Sequence, residues 1–133
     1  MSYRFIDHTA ELQLELEAPT REDVFREAVA ALGDLLAGDG ASAGEEDDRG
    51  VCVQARDNPA LLVAWLDELV FLAESEGLVP SNVVWLELGA GEVRGRVSFR
   101  SGSPPHLVKG VTYHDLAFTC EGETWRARVV LDV

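Results

Sequence analysis

At Pro19 the chain changes period. Before it, Leu12, Leu14 and Leu16 alternate with Gln13, Glu15 and Glu17, the two-residue period of a strand with one buried face. After it, Val24, Phe25, Ala28, Val29, Leu32, Leu35 and Leu36 recur at the spacing of one helical face. A second apolar helix face runs through "ALLVAWLDELVFLAESEG", with Leu61, Leu62, Trp65, Leu66, Leu69, Leu72 and Ala73. Helices and strands that each need one side covered can satisfy one another only as helices laid on a sheet.

Punctuation sets the rest of the layout. Tyr3 to Ile6 reads as a first strand. Thr20 caps the first helix, with Glu22 and Asp23 in its first turn, and Gly38 is placed to end it. Gly38 to Gly50, "GDGASAGEEDDRG", reads as a mobile acidic loop. Its Glu45, Glu46, Asp47 and Asp48 have the chemistry to hold a cation, but a run of like charges is ordinarily just solvated. Val51 to Ala55 is a short strand, Asn58-Pro59 starts the second helix and Gly77 closes it. Glu74 and Glu76 sit in its last turn, the unfavourable end for negative charge. Further strands follow at Val83 to Leu88, at "EVRGRVSFR", and around "VKGVTYHDLAFTC" and "TWRARVVLDV", the last two joined by a hairpin at Glu121-Gly122-Glu123. The predicted order is β-β-α-β-α-β-β-β-β. This is an α+β domain spanning residues 1–133, with two amphipathic helices packed on a largely antiparallel sheet.

Charge and cysteine usage narrow the function classes. A net charge of −13 argues against broad binding to phosphate backbones. All the basic residues are arginine except Lys109. Arg94, Arg96, Arg100, Arg126 and Arg128 alternate with core residues and should point away from the core. The ordinary expectation is pairing with Glu15, Glu17 and Glu87; the sharper one is a partner-binding face. Cys52 and Cys120 form no C-x-x-C pair, so free buried thiols in a reducing compartment are expected. The first ten residues lack the pattern of a signal peptide and no apolar run has the length of a membrane span, so a soluble, cytoplasmic protein is expected.

No phosphate-binding glycine loop, H-E-x-x-H or G-x-S-x-G occurs. The oddly placed polar residues are Asp7, His8, Glu11, Lys109, Tyr113, His114, Asp115 and Asp132. Parity separates Trp125, Ala127, Val129 and Leu131 from Arg126, Arg128 and Asp132, so Asp132 closes the polar face of the last strand. Val133 adds a carboxylate one residue away, and two anions so close repel unless a cation or arginine neutralises them. If the first strand pairs with the last, Asp7 joins them, and three oxygen ligands suit calcium, magnesium or manganese rather than zinc. The simpler alternative is that Asp7 caps a turn and the chain end is solvated. In "TYHDLAF", Val111 and Tyr113 have one parity and Leu116 and Phe118 the other, which predicts a β-bulge at His114–Asp115 if all four face the core.

"DHTAE", "LLVAWLDELVF", "VKGVTYHDL" and the terminal "VVLDV" together resemble the archease family, in the family's order and across nearly the whole chain. The resemblance implies a small acidic protein cofactor of an RtcB-type RNA ligase. Such a cofactor speeds guanylylation of the ligase histidine and allows multiple turnover in tRNA splicing or RNA repair. It implies metal ligation by Asp7 and Asp132 with Val133, calcium favoured over magnesium or manganese, and a functional lysine at Lys109. RNA would be met only through the ligase. The family usually has Asp where this chain has Glu11, one methylene longer, and Asn where it has Asp67, which falls on the polar side of its helix and should face solvent. His8 and His114 are auxiliary candidates; an imidazole suits a hard cation poorly. Two other classes remain open. A metal-dependent hydrolase of small phosphates would enclose Asp7, Asp132 and His114 in one pocket. A chaperone or adaptor would expose a large apolar patch.

Overall fold

A computed structural model describes residues 1–8, 11–37, 45–102 and 108–133 of the chain. The predicted order of elements is found: β1 (Ser2–His8), β2 (Glu11–Ala18), α1 (Arg21–Ala37), β3 (Glu46–Gln54), α2 (Asn58–Glu76), β4 (Leu78–Gly89), β5 (Glu92–Ser101), β6 (Gly110–Glu121) and β7 (Thr124–Asp132). The strands divide into two sheets, ordered β1-β2-β7-β6 and β3-β5-β4. Every pairing is antiparallel. Both helices touch strands of both sheets: α1 lies mainly on β4 and β2, and α2 on β6, β3 and β4. The helices are therefore what joins the two sheets into one core.

That core follows the two sequence periods. Leu12, Leu14, Leu16 and Ala18 are buried while the residues between them are not. The predicted faces of both helices are buried, apart from the half-buried Leu35. Trp65 is fully enclosed and its indole N–H donates to the Phe25 carbonyl at 3.2 Å, satisfying the one polar atom it carries inward. Phe25 meets the Trp65 ring edge-on at 6.4 Å and the Phe118 ring at 5.8 Å, so one aromatic cluster ties α1, α2 and β6 together. Gly33 lets the backbone of α1 reach that of β4: a Cβ there would run into the Pro80 carbonyl oxygen.

Local signals were mostly where the sequence put them. Gly77 closes α2 in the left-handed region (φ 65°), its N–H reaching the Leu72 carbonyl. The α2 cap is Asp57 rather than Asn58; its carboxylate accepts from the Ala60 N–H at 2.9 Å, which places Pro59 in the first turn. Glu46 to Gly50 are not loop but the first half of β3, paired with β5. Residues 38–44 of the expected acidic loop, and Gly38 as helix end, lie outside the described residues. Glu76 answers the puzzle of an acidic last turn: Arg49 of β3 reaches it at 3.4 Å. Cys52 and Cys120 are free but exposed rather than buried: Cys52 alternates with the buried Val51 on β3, and Cys120 lies beside the hairpin at the end of β6. No helix among the described residues is long and apolar enough to cross a membrane.

The arginines do not form one face. Arg94, Arg96 and Arg100 stand on β5 in one sheet, and Arg126 and Arg128 on β7 in the other. Arg94 pairs with Glu87 and Glu92, and Arg126 with Glu17 and Glu121.

Candidate functional site

Two neighbouring rungs end the four-stranded sheet. The outer one runs His8–Glu11–Asp132–Gly110 across β1, β2, β7 and β6. The next one in runs Asp7–Leu12–Leu131–Val111. Cross-strand partners share a face and successive rungs alternate. Glu11 and Asp132 therefore stand side by side on the polar face. Asp7 belongs to the rung of Leu12 and Leu131, both buried, and so to the opposite face at the exposed end of β1. The expected pairing of the first strand with the last does not occur, because β2 lies between them. The intervening strand is what brings Glu11, in place of Asp7, next to Asp132.

Lys109 completes this end. Its backbone N–H donates to the Asp132 carbonyl at 2.7 Å, fixing the chain just before β6 against the end of β7. Its side chain is exposed, Asp132 is half-buried and Val133 follows at the surface. The side chain of His8, with Thr9 and Ala10, lies outside the described residues.

The charge environment separates these carboxylates from their neighbours. Further along the same face, Glu15 is bound by Arg4 at 2.7 Å and Glu17 by Arg126 at 3.2 Å. Among the described residues, Asp7, Glu11, Lys109 and Asp132 enter no ion pair. Nor do any three His, Cys, Asp or Glu side chains among them come together as a cluster able to hold a metal. Glu11 and Asp132 are thus a pair, and a cation between them would need further oxygens, from the main chain, such as that of Val133, from water or from a partner. An all-oxygen donor set fits a hard cation.

Asp67, expected on the solvent side of α2, is exposed there. From α2 its carboxylate is near enough to the Val111 N–H of β6, the edge strand of its sheet, to act as an acceptor. Burial pushes its pKa up and that hydrogen bond pulls it down. Nothing in the one-dimensional pattern marks it, since an acceptor on a polar helix face looks solvated until the facing strand edge is known.

The bulge predicted in β6 is present and larger than expected. Thr112 pairs with Val130, but the next pairing is Ala117 with Arg128, so five steps on β6 face two on β7. Asp115 takes a left-handed backbone (φ 53°), and Arg128 donates its Nε–H to the Asp115 carbonyl at 2.9 Å. With more than one residue inserted, Tyr113 is not returned to the core: it is 64% exposed, while Leu116 and Phe118 pack inward. His114 lies out on the same bulge, 3.5 Å from the Asp115 carboxylate, and does not meet Asp7 or Asp132 in a cleft. A cleft on this sheet is lined by residues such as Tyr3, Arg4, Glu15, Glu17, Arg126 and Arg128. Large exposed apolar residues elsewhere are Phe71 on α2 and Val84 and Trp85 on β4.

Residues 3–133 match the archease protein family (MTH1598/TM1083). The chain is 33% identical to the protein archease of Methanopyrus kandleri over the full length of both, and 29% identical to that of Methanosarcina barkeri over 98% of this chain and 95% of the other. Its fold is similar to the solution structure of Methanobacterium thermoautotrophicum protein 1598, with a TM-score of 0.74 and 25% identity over 98% of each chain. It is also similar to the crystal structure of a Thermotoga maritima archease described as a possible chaperone, with a TM-score of 0.69 and 20% identity over 96% of this chain and 94% of the other.

Proposed function

The chain belongs to the archease family, and from that premise we propose that it is a non-enzymatic protein cofactor of an RtcB-type RNA ligase, promoting guanylylation and multiple turnover of the ligase in tRNA splicing or RNA repair. The observation that supports this reading best is the unpaired Glu11–Asp132 rung at an open sheet end, beside Lys109, on a sheet whose neighbouring carboxylates are held by arginine. Like charges held in register repel; a site left in that condition is poised to take a cation.

Glu11 and Asp132, with a main-chain oxygen of Val133, are the residues that would hold a divalent cation, calcium in preference to magnesium or manganese. Asp7, on the inner rung, is the weaker candidate for that same ion. Calcium takes about six to eight oxygens, more than these groups supply, so the site is suited to sharing. A bound cation supplies positive charge at the tip of an otherwise acidic protein. Lys109 adds a flexible ammonium beside it, able to meet a nucleotide phosphate or a carboxylate of the ligase. Among the described residues, Glu11 and Lys109 are exposed, which favours presenting charge to another protein's active site over hydrolysing a small phosphate in an enclosed one. The protein is proposed to meet RNA only through the ligase and to act in the cytoplasm.

RNA joining by a purified RtcB-type ligase, compared at single and multiple turnover with and without this protein, tests the reading. We expect little change when ligase exceeds substrate and a large gain when substrate exceeds ligase. An equal, small effect in both regimes overturns it.

A further inference from the structure

We propose that the Tyr113–His114–Asp115 bulge is a preorganised docking element that seats the protein on the ligase, with the Tyr113 ring as its anchor; this rests on the cofactor reading above. The bulge has no part in closing the fold. It interrupts β6 between two regularly paired stretches, and Tyr113 at its crest is 64% exposed, equalled among the large hydrophobic side chains of the described residues only by Met1.

The protrusion is nonetheless held. Arg128 donates to the Asp115 carbonyl, the His114 N–H donates to the Thr112 hydroxyl at 3.2 Å, and His114 Nε2 lies 3.5 Å from the Asp115 carboxylate. Asp115 occupies the left-handed region, where a non-glycine residue is uncommon and a single one is worth a functional question. A rigid aromatic on a fixed protrusion loses little conformational freedom on binding, and tyrosine offers both apolar area and a hydroxyl at its tip. Exposed, aromatic and already ordered is the character of an interface anchor.

Position selects the partner. Thr112, where the bulge begins, pairs two residues along β7 from Asp132, so the crest starts about 7 Å along the sheet from the Glu11–Asp132 rung at ordinary strand rise. A partner whose catalytic cleft receives that rung and Lys109 must also cover Tyr113. The fitting surface is a protein concavity with an apolar floor for the ring, a basic group for Asp115, and oxygen ligands that complete the shell of a cation held by Glu11 and Asp132. A cleft built to hold a nucleoside triphosphate supplies basic groups and phosphate oxygens together. Division of labour follows: Tyr113 contributes to affinity, and the rung with Lys109 contributes to stimulation.

The test is equilibrium binding of the full chain to a purified RtcB-type RNA ligase at fixed ionic strength, alongside ligase stimulation at saturating protein and thermal melting. Tyr113→Ala is expected to weaken binding at least about tenfold, the loss of a single anchor, with unchanged melting and stimulation recovered at high concentration. Tyr113→Phe keeps the ring and should bind within a few-fold of the unaltered protein on the same grounds. Equal binding by Tyr113→Ala and the unaltered protein, in a system where the latter stimulates, overturns the docking role and leaves the cofactor reading standing. An unaltered protein that neither binds nor stimulates the ligase overturns both.

Discussion

Glu11 and Asp132 face one another in register on adjacent strands, and neither has an arginine partner among the described residues. Asp7 sits one rung away on the alternate face. The two positions therefore make different predictions. Asp132→Ala and Glu11→Gln should each weaken calcium binding by at least about tenfold, the scale at which even outer-shell partners of a metal act. Asp7→Ala should weaken it less. Isothermal titration with calcium, followed by ligase stimulation, reads both effects. Melting in chelator should be unchanged in all three variants, since strand-end side chains outside the core seldom alter stability by more than about 0.5 kcal/mol. Tight calcium binding that survives Asp132→Ala, or depends only on Asp7, removes the rung as the site.

Asp67 gives a second prediction, because its carboxylate is placed to accept from the Val111 N–H of β6. Asp67→Ala leaves that donor without its acceptor and should cost about 0.5–1.5 kcal/mol. Asp67→Asn keeps a side-chain oxygen and should cost less. If the edge contact also positions Lys109, amide exchange at Val111 and its neighbours should quicken in Asp67→Ala but not in Asp67→Asn. Equal stability of the two variants would count against the contact.

These residues show how far the sequence reaches. The order of elements was legible because each strand and helix carries its own period: Leu12, Leu14 and Leu16 for one, Leu61 to Ala73 for the other. The bulge was legible from a parity conflict within "TYHDLAF", though not its length, because parity counts residues only modulo two. What sequence could not supply was adjacency. From the residues alone, Asp7 joined Asp132 only if β1 lay against β7, although the family resemblance pointed to Asp7 as well, and the two do lie on adjacent rungs at one end of the sheet. Inserting β2 between them changed the partner to Glu11. The contact of the exposed Asp67 with Val111 was hidden for the same reason, since Val111 lies on a strand more than forty residues away. The division into two sheets likewise depends on which strands the helices separate, a property no single segment carries.

The contact of α1 with β4 at Gly33 is tight enough to test the packing directly. A methyl group there would overlap the Pro80 carbonyl oxygen, which belongs to backbone and has nowhere easy to move. Gly33→Ala improves intrinsic helix propensity by about 1 kcal/mol, yet overpacking of this kind typically costs about 1–3 kcal/mol. Chemical denaturation should therefore show a net loss of stability. A gain would mean that the helix and strand stand further apart than described.

Glu27 offers the last prediction, through pH. It faces inward from α1 at only 8% exposure. Burial pushes its carboxyl above the ordinary 4.5; the Met1 ammonium opposes the shift and Asp23 adds to it. Glu27 in turn helps to raise Tyr3, whose hydroxyl donates to Asp34, although that hydrogen bond is the larger cause. The fold thus favours the protonated form of Glu27. A group whose folded pKa lies above its unfolded one binds more protons in the native state, so its contribution is full below pH 4.5 and is lost as pH rises through the raised value. Glu27→Gln keeps the shape and removes the titration. It should melt higher than the unaltered protein at neutral pH, and the gain should shrink as the pH is lowered toward 4.5. Melting curves across that range decide the matter: a difference that is the same at every pH, or that grows on acidification, shows that Glu27 is not held against its own charge.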